Sequence, residues 1–182
     1  RGSPTGKKAA EEYREKYART RVPDDFKFDW ESMADYLNKI EAQGSGFNVA
    51  SFVGHGTIRQ NVMGHNASKP TKEELEEMKK LVGIAMKDGA WGMSTGLIYP
   101  PSVYAETEEI IELSKIVANY SGIYASHIRG EGESLLEAIV EAGEIGEKSG
   151  APVQIAHFKA SGKSNWGKTK AALALVKKYR NM

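Results

Sequence analysis

Residues 123–160 read IYASHIRGEGESLLEAIVEAGEIGEKSGAPVQIAHFKA, and this stretch decides the fold. It opens on a short β-branched and aromatic run that ends in Ser126-His127. A Gly-containing loop follows, then Leu135, Ile139 and Ile145 at helical spacing, a stop at Gly150, and a second short apolar run that leads to His157. Strand, loop, helix and strand in this order make a βαβ unit, whose two strands run parallel with a right-handed crossover between them.

The same design repeats outward. Thr71 with Glu74 and Ser134 with Glu137 match the capping box, in which a hydroxyl and a carboxylate satisfy each other's backbone N–H groups at a helix start. Behind Thr71, the apolar residues Leu75, Met78, Val82 and Met86 keep helical spacing until Gly89. Between these helices, residues 107–120 carry Ile110, Leu113 and Val117 and close at Ser121-Gly122. The expected strands are residues 47–53, 90–94, 123–126 and 153–156, and the last helix is residues 168–180. Residues 46–182 thus read as four βα units of an α/β fold. Residues 1–45 read as a helical lead-in, with a polar helix over 6–20 and a second that Asp29 caps and Gly44-Ser45-Gly46 ends. No low-complexity linker divides the chain, so residues 1–182 are expected to form one domain.

Chemistry gathers just past the strands, at His55, Ser94-Thr95, His127 and His157. The separations are 40 residues from His55 to Thr95, 32 from Thr95 to His127 and 30 from His127 to His157, one βα unit each. Equivalent positions in parallel units lie side by side on one edge of the sheet, the edge that carries the chemistry of α/β enzymes. Two imidazoles in register on neighbouring strands suit a shared ligand such as a metal ion. For His55 a hydrogen-bonded structural role is the simpler expectation, and His65 reads as a surface residue. Trp30 and Trp91, at element starts, read as packing residues, and Glu131 as a partner for Arg129.

Composition narrows the partners. With 25 basic and 24 acidic side chains the net charge is +1, which gives no reason to expect nucleic acid or an anionic membrane. The chain has no cysteine, which excludes disulfides and thiolate ligands within it. No apolar run approaches the roughly 18 residues of a spanning helix. A soluble, cytoplasmic protein is expected. The chain opens without Met and stops directly after a helical pattern, so both ends read as cuts in a longer polypeptide.

One literal motif points elsewhere. Gly162-Lys163-Ser164-Asn165-Trp166-Gly167-Lys168-Thr169 satisfies the phosphate-binding pattern G-x-x-x-x-G-K-[ST] between a strand and a helix. Against nucleotide binding, only 13 residues follow Thr169, too few for a downstream strand bearing a magnesium-holding carboxylate, and Trp166 is a bulky neighbour for a backbone cradle.

Several ordered segments carry a family resemblance: Val53-Gly54-His55-Gly56-Thr57, Ser94-Thr95-Gly96-Leu97-Ile98-Tyr99-Pro100-Pro101, Ser126-His127-Ile128-Arg129, and Gln154-Ile155-Ala156-His157-Phe158-Lys159-Ala160 with Asn165-Trp166-Gly167. In this order and spacing they resemble the N-acyl-D-amino-acid deacylases, or D-aminoacylases, of the amidohydrolase superfamily. The resemblance implies consecutive units of a (β/α)8 barrel with the helices outside, here a partial barrel of about four strands. It implies zinc-dependent hydrolysis of the amide of N-acyl-D-amino acids, with zinc held by His127 and His157. Lys159 and Tyr99 would face the small-molecule substrate, and His55, Ser94 and Thr95 are further candidates for lining the site. Arg129 is a candidate for gripping the substrate carboxylate, a salt bridge being the equal alternative. The family's early His-x-His pair, its bridging cysteine and its late catalytic aspartate have no counterpart in the 182 residues. The segment alone is therefore expected to be inactive. As a rival, it reads as a non-catalytic half-barrel whose open edges drive homo-oligomerisation. Gly130 stands where the family pattern leads one to expect a larger polar side chain.

Overall fold

The computed structural model describes residues 6, 7, 10–12, 15 and 29–181. The expected polar helix over 6–20 lies mostly outside them. Four strands, β1 (Val53–Gly54), β2 (Gly92–Gly96), β3 (Ile123–His127) and β4 (Val153–Ile155), form one parallel sheet in the order β1-β2-β3-β4. Helices α1 (Met33–Gln43), α2 (His55–Met63), α3 (Lys72–Lys87), α4 (Thr107–Asn119), α5 (Leu135–Ser149) and α6 (Thr169–Arg180) accompany them. Short 3₁₀ turns at Ser102–Tyr104 and Lys163–Lys168 follow β2 and β4.

Strictly sequential strand order is what consecutive units of a (β/α) barrel produce, whereas a doubly wound sheet reverses direction at a switch point. The helices touch in sequence as well, α3 on α4, α4 on α5 and α5 on α6. Alternate residues of the strands, Val53, Met93 and Tyr124 among them, join Val82, Met86, Leu113, Val117 and Ile145 in the core between sheet and helices. A second cluster under α5 and α6 gathers Ile128, Leu135, Ile139, Ala142 and Ala172. At Gly92 the sheet tolerates no side chain, because a Cβ there would lie 1.9 Å from the carbonyl oxygen of Ile123 on the neighbouring strand.

The differences from expectation have local causes. The first strand spans two residues rather than 47–53, since Phe47 is 77% exposed and residues 47–52 pair with nothing regular. His55 therefore starts α2, a helix the polar run 55–63 hid. α1 is capped by Ser32, whose hydroxyl accepts from Asp35 N–H at 3.0 Å while the Asp35 carboxylate accepts from Ser32 N–H at 2.9 Å; Asp29 is not the cap. Thr71 and Glu74 close the box on α3 as their spacing predicts. Ser134 does not cap α5, because its backbone (ψ 20°) is not extended and its hydroxyl is turned toward Gly130. Trp30 packs on Tyr36, but Trp91 is 61% exposed and is no core residue.

Candidate metal centre

β2 and β3 pair Thr95 with Ser126 and Gly96 with His127, and β3 and β4 pair Ser126 with Ile155. This register splits the strand-end residues between two faces. Thr95 and Ser126 point to the helix side, where the Thr95 hydroxyl lies 2.9 Å from the Tyr124 hydroxyl and 3.1 Å from Ser126 Oγ. Burial drives the Tyr124 phenol up to about 12, so it stays a neutral donor. Thr95 is thus a buried packing residue and does not line the site. Ser94 sits on the opposite face, paired with Gly54 and Ala125, two residues below the Gly96–His127 pair.

His127 ends β3 on that open face. His157 lies two residues past β4 with φ at +36°, a left-handed conformation uncommon for a non-glycine residue and met most often at functional sites. The two rings converge: His127 Nδ1 lies 2.5 Å from His157 Nε2, and the ring centroids are 4.3 Å apart at an interplanar angle of 68°. Burial, reinforced by the nearby His157, holds the His127 imidazole below its ordinary value, which favours the neutral form able to offer a lone pair. His127 Nε2 is buried and has no hydrogen-bond partner among the described residues.

Glu131 completes the group. Its Oε1 lies 2.7 Å from His157 Nδ1 and accepts a hydrogen bond from the Lys159 ammonium, which also donates to His157 Nδ1 at 3.2 Å. Burial would raise the Glu131 carboxyl, but the Lys159 hydrogen bond and charge, with the histidines, bring it below its ordinary value. The ligand atoms of His127, Glu131 and His157 all lie within 4.8 Å of one another, a two-imidazole, one-carboxylate set suited to a transition metal. Glu131 does not pair with Arg129 as the sequence led us to expect. The available signal was its place in the loop after a histidine-bearing strand, with Lys159 equally placed after the next. Tyr99 leans on His127 at a centroid distance of 5.3 Å, and Gly96 makes room for its ring, since a Cβ there would lie 3.0 Å from Tyr99 Cδ2.

Arg129 faces away from this group. Its Nε and Nη2 bond the Glu141 carboxylate at 2.8 to 3.1 Å, Nη2 also bonds Ala105 O at 2.9 Å, and Nη1 bonds Val103 O at 3.1 Å. The guanidinium is therefore a strut under the loop that carries Tyr99. His55 is fully buried on the helix side, with Nδ1 2.9 Å from Ser102 Oγ and Nε2 2.8 Å from Glu109 Oε1. Serine, histidine and carboxylate in a row resemble an acyl-transfer triad, but Ser102 is 4% exposed and the third partner also binds Arg59, so the row is structural.

The phosphate-binding pattern does not form a cradle. Residues 163–168 wind into a 3₁₀ turn in which Asn165 N–H bonds Gly162 O at 3.0 Å, Lys168 Nζ reaches Glu133 O at 2.7 Å, and Trp166 is 64% exposed. The lysine and backbone amides a nucleotide would need are engaged or turned elsewhere.

No family model matches the chain. Over 147 residues, 81% of its length, it is 42% identical to a protein of Alcaligenes xylosoxydans xylosoxydans named D-aminoacylase. It spans 30% of that relative. A crystal structure of a D-aminoacylase, described as defining a novel subset of amidohydrolases, superposes with a TM-score of 0.80 at 39% identity, covering 85% of this chain and 32% of that one. An N-acyl-D-glutamate deacylase of Bordetella bronchiseptica, complexed with zinc and a phosphonate mimic of the tetrahedral intermediate, gives the same TM-score at 31% identity, covering 84% of this chain and 32% of that one. These enzymes are homologues of the chain over most of its length, and it spans about a third of theirs.

Proposed function

We propose that this chain is the metal-binding segment of a zinc-dependent hydrolase that cleaves the amide of N-acyl-D-amino acids. The observation that carries the proposal is the convergence of His127 and His157 on one face of the sheet, with Glu131 beside them. Two imidazole nitrogens and a carboxylate whose donor atoms all lie within 4.8 Å of one another fit zinc. The zinc of the Bordetella homologue supports the choice of ion. When bound, zinc supplies Lewis-acid chemistry, withdrawing charge from the acyl carbonyl and making water acidic enough to attack near neutral pH.

The chain's own residues do the rest. His127 and His157 would hold the ion at the strand ends. Tyr99 walls the site on the β2 side, and Lys159, whose side chain is 49% exposed, offers its remaining N–H groups to an anionic substrate. Ser94, on the open face below His127, is the remaining candidate for lining the floor of the site. We assign Arg129 to fixing the loop over the site rather than to the substrate carboxylate. The same proposal places the parent enzyme in the cytoplasm, in keeping with its balanced charge and ordinary globular composition.

The test has two arms. Zinc titration by calorimetry is expected to show one site per chain, lost in both His127→Ala and His157→Ala. Assay of the 182 residues on N-acetyl-D-amino acids is expected to show no turnover, while the full-length enzyme containing this segment turns over and loses activity in the same variants. Full activity in either histidine variant of that enzyme would refute the assignment.

A further inference from the structure

Resting on the reading of Tyr99 as a wall of the site, we propose that His55 and Ser102 are positioning residues: the buried imidazole, fixed by Glu109, holds the Ser102 hydroxyl, and Ser102 in turn sets the loop that brings Tyr99 against His127. The row of side chains so like an acyl-transfer triad thus serves the site from behind rather than by reacting.

Tyr99 lies past the end of β2 and is 42% exposed, so the path of the loop over residues 97–105 decides where its ring stands. The main chain of that loop is wound on itself. Tyr99 O accepts from Val103 N–H at 2.9 Å, and Ser102 O accepts from Ala105 N–H at 3.1 Å. A shift of Ser102 is therefore passed to Tyr99, whose ring centroid is 5.3 Å from that of His127.

The loop is held from both flanking strands. On the β3 side, Leu97 N–H bonds His127 O at 3.0 Å, and Arg129 reaches the carbonyls of Val103 and Ala105. On the β1 side the hold is the bond between His55 Nδ1 and Ser102 Oγ at 2.9 Å. Gly56 permits that approach, since a Cβ there would lie 3.1 Å from Ser102 Oγ and 3.7 Å from Pro101 Cδ.

His55 is a rigid support. Its ring is fully buried, Nε2 donates to Glu109 Oε1 at 2.8 Å, and the other Glu109 oxygen accepts from Arg59, which reaches Ser68 O at 2.6 Å. Burying such groups is costly unless each is paired, and apolar side chains would fill the same space without that cost. What a satisfied polar network adds is a single arrangement of its members, here one position for Ser102.

Two substitutions test this. Ser102→Ala removes the bond, and Gly56→Ala crowds the same hydroxyl. In the 182-residue chain, a nuclear Overhauser contact between the rings of Tyr99 and His127 is expected, and it is expected to weaken in both variants while zinc affinity stays unchanged. In the full-length enzyme containing this segment, kcat/KM on an N-acetyl-D-amino acid is expected to fall about 10- to 100-fold in Ser102→Ala. In a Tyr99→Ala background the same substitution costs nothing further, because it acts through that ring. Thr71→Ala, at a helix cap outside the site, is expected to lower stability and leave kcat/KM unchanged, which separates positioning from loss of fold. A Tyr99–His127 contact unchanged in both variants overturns the proposal, as do losses of kcat/KM that add in full in the double variant. If the full-length enzyme shows no deacylase turnover, the functional reading fails, while the ring contact still decides the role of Ser102.

Discussion

Arg59 and Glu109 face one another with their side chains 0% and 3% exposed, and His55 shares the same carboxylate. Removing one member of such a group leaves a charge buried without compensation, at a cost of about 3–5 kcal/mol. Glu109→Ala is therefore expected to lower the unfolding free energy measured in urea by that order. Glu112→Ala, which breaks the solvent-facing bridges to Lys79 and Lys115, is expected to cost no more than about 1 kcal/mol. Equal losses would show that the buried group does not hold the fold. Acid has a related signature. Burial pushes the Glu109 carboxyl upward, but the His55 hydrogen bond and charge, then those of Arg59, overcome it and hold the group below its ordinary 4.5. Its stabilising contribution is complete above that value and is lost as pH falls through the lower folded one. Unfolding followed from pH 6 to 3 is expected to show a loss that Glu109→Gln flattens. A slope identical in the two proteins would rule this out. His127 and His157 were legible in the sequence because register is a matter of counting. His55 shares that register, but its strand ends after two residues and its ring turns under the helices, a choice of face that spacing does not encode.

At the scale of elements, two helix starts with the same apparent motif make different predictions. Thr71 accepts from Glu74 N–H at 3.1 Å and Glu74 returns the bond, so Thr71→Ala is expected to cost about 1 kcal/mol. Ser134 makes no capping bond, and Ser134→Ala is expected to change stability by less than about 0.5 kcal/mol. Thermal unfolding of the two variants checks the contrast, and comparable losses would contradict it. Gly130 explains the second case, since any Cβ there would lie 2.0 Å from Ser134 Oγ, which brings the loop close over the start of α5. α3, α4 and α5 could be read from sequence because apolar spacing and terminal glycines are local signals. The strand ends were read less well. Phe47 and Val49 have strand-forming side chains but remain exposed, and β propensity describes fit to a half-buried surface rather than a backbone preference. Glu131 escaped for a related reason, because its partner was decided by the path of a loop and not by periodicity.

At the scale of the molecule, β1 and β4 are edge strands of two and three residues, with no further partner among the described residues. Ser94, Ala125 and the 45%-exposed His157 lie along the open face of the same sheet. Paired edges and a covered inner face are what a closed barrel provides, so we propose that the isolated chain self-associates through these edges. Sedimentation velocity is expected to show dimers or larger species at tens of micromolar, and a monomer at every concentration would contradict it. The proposed function requires that the imidazoles of His127 and His157, carried by adjacent parallel strand ends, share one ion. Anomalous diffraction from zinc-soaked crystals at the zinc absorption edge tests that claim most directly. One peak is expected, at about 2.0–2.1 Å from a ring nitrogen of both His127 and His157. Zinc bound elsewhere, or to one ring with the other turned away, would contradict it.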